Sequence, residues 1–464
     1  MKRILLSALA MAALSAMVWA DPPATVGRLS YVAGGVSFAA SAGAAWETAA
    51  LNYPLAAGSQ LSTAAGSRAE VQIGWSDVLL ASDTGITFQA LDDQAVEIRL
   101  DRGRVSLRVG RLGADQGFQV DIPMASISLS APGEYRFDLS ESGNARIISW
   151  NGEAHVIGGQ TSFTVGTGEE ADIPPAGAQA YQVTDAPQPG IWDQWVSERV
   201  GREDQAASTR YVSGQVDGAA DLNEYGTWTV VAGYGPVWFP AVVAAGWAPY
   251  TAGRWVWIAP WGWTWVDDEP WGFAPFHYGR WAVISGSWCW VPGPVVAHPV
   301  YAPALVRWVG GVPWRGHPPG AIGVTWAPLG PRETFHPLYH VSTTYYRAVN
   351  RAAFVPRYAP QPGFAARSPF VPAPAFRGPM AARRPWFPGT PFFGGPRPAM
   401  AGRPGPAMAP GPVAVPGPAA RPWPAERPGQ AAGQDRRWPP PNNGPAADSR
   451  NPLLYWKHHG RPER

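Results

Sequence analysis

The chain of 464 residues contains one cysteine, Cys289. A lone thiol excludes an internal disulfide framework, so burial must hold the fold together. Cys289 lies between Trp288 and Trp290 in a strand-like run and reads as a small filler residue rather than a nucleophile. Long apolar runs are also scarce. Ile4 to Val18 is largely apolar but too short for a comfortable membrane span, and the uncharged stretch Val230 to Tyr250 is interrupted by Pro236, Pro240 and Pro249. Catalytic motifs are missing too: the chain has no Gly-x-Ser-x-Gly elbow, no Gly-x-x-x-x-Gly-Lys phosphate loop and no CxxC pair. Sustained helical periodicity is confined to one short segment.

The N-terminus begins MKRILLSALAMAALSAMVWA, followed by DPP. Lys2 and Arg3 precede the apolar run, and Val18 and Ala20 sit three and one residues before a plausible cut. This predicts a signal peptide over residues 1–20, export to the periplasm or beyond, and no membrane span in the mature chain. Charge is divided unevenly. From Arg351 onward fifteen Arg and one Lys face four acidic residues, a net +12, which leaves −10 for residues 1–350 of a chain whose total is +2. The basic segment is dominated by Pro, Ala, Gly and Arg, cannot bury enough apolar area to offset its ordering entropy, and is expected to be a disordered tail over residues 351–464.

Residues 21–180 read as a series of short strands. In AVEIRLDRGRVSLRV, Val96, Ile98 and Leu100 alternate with Glu97 and Arg99, and Val105, Leu107 and Val109 alternate with Ser106 and Arg108. Alternation on both sides of Asp101–Arg104 predicts a hairpin. ARIISWNGEAHVIGG predicts another, turning at Asn151-Gly152. Further turns are expected near Gly34 and Gly143. The succession VGRLSYVAGGVSF, AAWETAALNYPLAAGSQLSTAAGSRAEVQIG, LDRGRVSLRV and FQVDIPMASISLSAPGEYRFDL resembles the periplasmic domain of FecR-like proteins. That resemblance implies a role beside sigma-factor regulators that act across the inner membrane. Only twenty residues precede the expected cleavage site, so a periplasmic sensor or competitor without the cytoplasmic anti-sigma part is the form of signalling to expect. Residues 181–209 form a linker in which Trp192, Trp195/Val196 and Val200 recur at helical spacing, predicting a short amphipathic helix.

Residues 210–350 hold most of the tryptophan. WVWIAPWGWTWVDDEPWGF carries six in nineteen residues. GWAPYTAGRW (Gly246–Trp255) aligns with GFAPFHYGRW (Gly272–Trp281) at a spacing of 26, and a strand, a turn and a Trp-x-Trp strand follow each. The pairs Trp255/Trp257, Trp263/Trp265 and Trp288/Trp290 each share a strand face. Each unit is therefore expected to be a hairpin with its indoles on one side, and successive units must stack to cover that side. Core is the favoured role, and an exposed ligand platform is the rival. The candidate aromatic surface comprises Trp255, Trp257, Trp263, Trp265, Trp281, Trp288 and Trp290 with the repeat-matched Arg254 and Arg280, whose guanidinium groups are expected to stack on rings of a neighbouring unit. The order of these motifs resembles a Trp-rich domain of uncharacterised function found after FecR-like domains in secreted proteobacterial proteins, a resemblance that brings no known chemistry.

The remaining candidates point to no catalyst. Asp267-Asp268-Glu269 is expected in a solvated turn rather than as a carboxylate pair. His336 and His340 have i, i+4 spacing, but Pro337 argues against one helix carrying both, and with His277, His298 and His317 they are read as ordinary imidazoles rather than a metal site. The resulting expectation is an all-β, non-enzymatic exported protein without catalytic residues, metal or cofactor. It would bind a cell-envelope polymer or envelope protein and reach anionic surfaces through its tail, with no nucleic-acid partner. A FecR-related sensor and a glycan binder using exposed Trp are the alternatives.

Overall fold

The structure, a computed structural model, describes residues 20–113, 116–159, 161–175, 181–313, 322–355, 358 and 371–372. The expected signal peptide, apart from Ala20, and nearly all of the expected tail lie outside them. The architecture is all-β, with 44% strand against 12% helix. The first β region runs from the strand Gly27–Ala33 to the strand Gln182–Asp185 and forms two packed sheets joined by strands that pass between them.

Both expected hairpins in this region are corners instead. Ala95–Val109 is one unbroken strand. Its first half lies between Gly85–Leu91 and Gly117–Ile122, the latter in parallel, and its second half between Ser76–Leu80 and Gly133–Leu139 in the other sheet. The buried side chains change from Val96, Ile98 and Leu100 to Val105, Leu107 and Val109. That change of parity mimics a turn in the sequence, but a bulge opposite Gly85/Ile86 produces it. Gly103, at φ 89°, makes the bend, and a Cβ there would lie 2.6 Å from Thr84 Cα and 2.7 Å from Asp83 O.

Asn151-Gly152 behaves alike. Ala145–Asn151 pairs with Gly133–Leu139 and Glu169–Ile173, whereas Ala154–Gly158 pairs with Ala125–Leu129 and Thr161–Val165 in the second sheet. Gly152 has φ 97°, and the Tyr135 hydroxyl packs against it, donating to Ala131 O (2.7 Å) and accepting from Glu153 N (3.1 Å). The turn expected near Gly143 does join a hairpin, Gly133–Leu139 with Ala145–Asn151. Residues that favour tight turns also suit sheet-switching corners, so local chemistry alone does not separate the two.

The amphipathic helix spans Ile191–Asp204, with Trp192, Val196 and Val200 packed on Leu79 of the first region. Trp192 Nε1 donates to Ser106 Oγ at 2.8 Å, and Arg136 clasps Asp193 at 2.8 and 2.9 Å.

Four antiparallel hairpins follow among the described residues: Gly226–Val231 with Gly235–Pro240, Gly253–Ile258 with Gly262–Asp267, Arg280–Ile284 with Ser287–Val291, and Val306–Pro313 with Ile322–Pro328. Each sets two tryptophans directly opposite one another: Trp228/Trp238, Trp255/Trp265, Trp281/Trp290 and Trp308/Trp326. The hairpins associate in alternation rather than in succession. The first and third share a four-stranded sheet through Trp238 opposite Trp290. The second and fourth meet through their indoles, with Trp255 4.6 Å from Trp308 and 5.2 Å from Trp326 between centroids. Expected stacking of neighbours is thus corrected to stacking of next-but-one units. Arg351–Phe354 adds a 3-10 turn and Tyr358 is buried, so the folded body continues past residue 350.

The two β regions share one apolar cluster, which runs from Val26 and Leu29 to Trp271, Phe273 and Trp326. Arg28, 1% exposed, sits in the seam. From the first region it holds Asn52 Oδ1 (2.8 and 3.1 Å) and Gln72 Oε1 (3.0 Å). From the second it holds Pro270 O (3.2 Å) and Asp221 (2.5 Å), and its guanidinium lies 5.5 Å from the Phe273 ring centre.

Gly152→Ala is expected to destabilise the protein by about 2–4 kcal/mol, because the added methyl meets the Tyr135 hydroxyl at 2.1 Å on a left-handed backbone. Urea denaturation measures this, and an unchanged midpoint would contradict the corner geometry.

Candidate functional site

The candidate tryptophans divide between core and partly open positions. Trp265, Trp281 and Trp290 are 1% exposed or less, while Trp255, Trp257, Trp263 and Trp288 are half-buried. Trp255 and Trp265 meet edge to face at 5.3 Å, and Trp257 and Trp263 at 5.5 Å. Tyr250 and Phe276, equivalent in the two aligned segments, touch at 4.8 Å and 89°. Tyr250 also reaches Trp265 (5.8 Å) and Phe276 reaches Trp281 (5.7 Å), so these two rings join the alternate hairpin pairs. Trp247 and Trp271 extend the network to Trp281 and Trp238.

Buried indole N–H groups need acceptors. Trp238 donates to Leu222 O (2.7 Å), Trp290 to Tyr278 O (2.8 Å), Trp326 to Tyr250 O (2.9 Å) and Trp265 to Asp267 Oδ2 (2.8 Å). Three of the four acceptors are backbone carbonyls in the segments that join the strands, Leu222 in a short helix and Tyr278 and Tyr250 in loops, so each of those rings fills the core and also ties down a connection. Tyr250, held at φ 63°, is fixed from both sides, donating to Phe276 O (2.7 Å) and accepting from Leu305 N (3.0 Å).

The matched arginines part company. Arg280 is 1% exposed and bonds Gly279 O (2.7 Å), Glu333 O (2.9 Å) and Asn350 Oδ1 (2.9 Å). Burial pulls its pKa down to about 10. Arg254 is exposed and faces Asp268 at 3.6 Å. The expected ring stacking gives way to hydrogen bonding and ion pairing, because buried carbonyls next to Arg280 need donors. The expected solvated acidic turn is corrected at Asp267, whereas Asp268 is exposed and Glu269 half-buried. Asp267 is 3% exposed and binds Trp265 Nε1 and Glu269 N (3.1 Å), while the carbonyls of Asp267 and Glu269 accept from Asn52 across the seam (3.4 and 2.7 Å). Burial raises the Asp267 pKa well above its usual range, opposed by the Trp265 N–H.

Among the described residues no histidine joins a group that could hold a metal ion. His336 is exposed and shares a bond with Thr334 Oγ1 (3.1 Å), and His298 is exposed. His317 lies outside the described residues. His277 is fully buried. Ala302 O, which can only accept, lies 2.8 Å from its Nδ1, so Nδ1 carries the proton and Nε2 is left as a bare acceptor without a protein partner. His277 borders a cavity of about 60 Å³, room for a water molecule or two. Cys289 is fully buried with its thiol pKa pushed up to about 12 by burial, which leaves no reactive thiolate at neutral pH.

Sequence reasoning missed an ionic cluster under the C-terminal end of the helix. The carboxylates of Glu70, Asp77 and Glu203 converge within 4.8 Å, close enough to hold a cation. Arg108 already pairs with Asp77 (2.8 Å) and Arg199 with Glu70 (2.5 Å), and Gln72 donates to Glu203. Neighbouring Asp217 accepts from Gly74 N at 2.8 Å. Burial raises Asp77 to about 6 against the pull of Arg108, and Asp217 to about 7 against the Gly74 N–H and Arg28. Single acidic residues in separate strands and loops give no sequence signal for such a cluster.

Also missed was Trp46, 53% exposed, at the rim of an open groove of about 400 Å³ on the first β region, lined among others by Gln60, Ser62, Thr87, Asp101 and Arg102. The only hint in the sequence was a tryptophan standing outside any alternating run.

Residues 59–155 match the family described as FecR protein, and residues 219–333 match a family of unknown function, DUF6600. A FecR domain and a DUF6600 domain are present. Two solved structures of a "putative anti-sigma factor" from Parabacteroides distasonis are 12% and 11% identical, over 27% and 30% of this chain and 59% and 64% of theirs, with TM-scores of 0.25 and 0.27. This chain therefore spans less than two thirds of either neighbour, and likenesses at those scores bear no functional weight. No curated protein matches.

Mild acid is expected to stabilise the fold. Asp77 and Asp217 have folded pKa values raised above the ordinary 3.8, so their contribution is complete below about pH 4 and is lost as pH rises through 6 to 7. His277, lowered to about 3, acts oppositely below pH 6.5 but offsets only one proton, whereas burial raises Glu203 and Asp267 as well as Asp77 and Asp217. The urea midpoint should be higher at pH 5 than at pH 8, and Asp217→Asn should flatten that difference while raising the midpoint at pH 8. A midpoint that rises with pH in both proteins would refute the assignment.

Proposed function

We propose that this chain is a non-enzymatic envelope protein that acts by binding, with its two β regions locked into one scaffold and its basic tail drawn to anionic surface groups. The observation that carries this reading is the structural use of the residues best suited to chemistry. The indole pairs fill the core, Arg280 and Asp267 satisfy buried groups, and Cys289 is sealed away. What remains for function is surface. No helix among the described residues is long and apolar enough to cross a membrane, and the FecR domain supports a periplasmic setting. Export through residues 1–20 belongs to the same proposal.

The FecR domain also favours a second reading, a periplasmic signalling component that senses or competes for a partner of a FecR-type regulator. Both readings make the protein a binder, and they differ in what is bound.

Pull-down from envelope extracts, with and without residues 351–464, tests the proposal. Capture by the full chain is expected to weaken as salt rises from about 50 to 500 mM, since a +12 segment acts through screened attraction. The truncated chain should lose most of that salt-sensitive retention. Equal capture with and without the tail at every salt concentration would refute the tail's role. Specific recovery of a FecR-type regulator in both forms would establish the signalling reading instead.

A further inference from the structure

The groove beside Trp46 has the surface of a carbohydrate site, and we propose that it binds a neutral saccharide segment. It lies outside the tryptophan-rich hairpins, and it deepens the binding reading by naming a ligand class and a place for it.

The floor is the outer face of four neighbouring strands, Val36–Ala39, Gln60–Thr63, Gly85–Leu91 and the first half of Ala95–Val109. Cross-strand register aligns their side chains in two rows. One runs Ser37, Ser62, Gly85, Arg102, and the other Gln60, Thr87, Arg99. The apolar partners of these residues, Leu61 and Ile86, are at most 1% exposed and point into the core. The groove therefore offers one exposed indole and a field of hydroxyl, amide, carboxylate and guanidinium groups. Those polar groups are prearranged: Arg102 Nη2 donates to Ser62 Oγ (3.0 Å), Gln60 Nε2 to Thr87 Oγ1 (3.3 Å), and Arg99 Nε to Asp101 Oδ1 (2.8 Å).

Three physical points select the ligand. A sugar ring presents C–H groups on one face, which pack on an indole, and hydroxyls around its edge, which suit planar side chains that donate and accept in pairs. The lining charges, Asp101 and Arg102, are opposite, and the floor residue Arg99 is paired with Asp101 at 2.8 Å, so the groove keeps at most one net positive charge, a weak pull on a charged ligand. A peptide would need an open strand edge or an apolar side-chain pocket. Here every floor strand is paired on both sides, since Val36–Ala39 also bonds Glu47–Thr48 and Ala95–Val109 also bonds Gly117–Ile122. At about 400 Å³ the groove falls within the range of small-ligand sites, unlike the cavity beside His277.

Calorimetric titration of the full chain with cello-, malto- and N-acetylchito-tetraose tests the proposal. At least one is expected to bind saturably, with a dissociation constant on the order of 10 μM to 1 mM. Trp46→Ala should weaken it by about tenfold or more and Trp46→Phe by much less, since a ring still stacks. Gly85→Val is the second probe. Its backbone is not left-handed, and the added Cβ meets nothing closer than the Arg102 side chain at 3.7 Å, so the variant should fold while its methyls obstruct the row between Ser62 and Arg102. About tenfold weaker binding with an unchanged urea midpoint is expected. Absence of saturable binding for all three sugars, binding insensitive to both Trp46→Ala and Gly85→Val, or binding by a peptide of residues 401–420 that these variants abolish would each overturn it. Binding of a neutral sugar should not change with salt, so failure here is distinguishable from failure of the salt-dependent capture by the tail.

Discussion

Arg28 is a charged side chain removed from water at the meeting of two β regions, and everything around it is arranged to make that tolerable. A buried guanidinium costs several kcal/mol unless its donors and its charge are met. Asn52 and Gln72 meet it from the first region, and Pro270 O and Asp221 from the second. Asn52 then uses its amide to hold the carbonyls of Asp267 and Glu269, and Gln72 Oε1 also receives Gly218 N at 3.2 Å. Because no set of partners from one region suffices, the two regions cannot separate without exposing both a charge and a shared apolar seam.

That constraint explains why Asp267, at the start of the acidic turn after Trp265, is buried although Asp268 beside it is exposed. The turn Asp267-Asp268-Glu269 is where the second hairpin meets Asn52, so its carbonyls face protein rather than solvent. Asp267 is kept there by the Trp265 indole, whose ring is itself fixed by Tyr250 and Trp326. Core packing, loop geometry and the joint between regions thus share side chains. Each fully buried indole removes about 200 Å² from water, worth on the order of 5 kcal/mol as an upper figure. With one cysteine available, this is where cohesion must come from. The exposed Trp46 lies on the other β region, outside this network.

How far the site could be read in advance depends on the residue. Trp281 and Trp290 were marked by repeat position and proved to be opposite partners in one hairpin. Arg254 and Arg280 looked equivalent, yet one is exposed and the other buried, because Glu333 and Asn350 reach only the second. Trp46 carried no pattern at all, since a groove lined from four strands has no local signature.

Alternation, turn residues and repeat spacing determined by themselves that the chain is all-β, that a short amphipathic helix lies within residues 181–209, and that tryptophans sit in pairs on strand faces. These follow from short-range backbone periodicity, which one segment carries unaided. Only the tertiary structure decided that Gly103 and Gly152 turn corners between sheets, that alternate hairpins associate, and that Arg28 closes the seam. Each of those depends on which distant strand supplies a hydrogen-bond partner or a ring, and a linear pattern compatible with several partners does not choose among them.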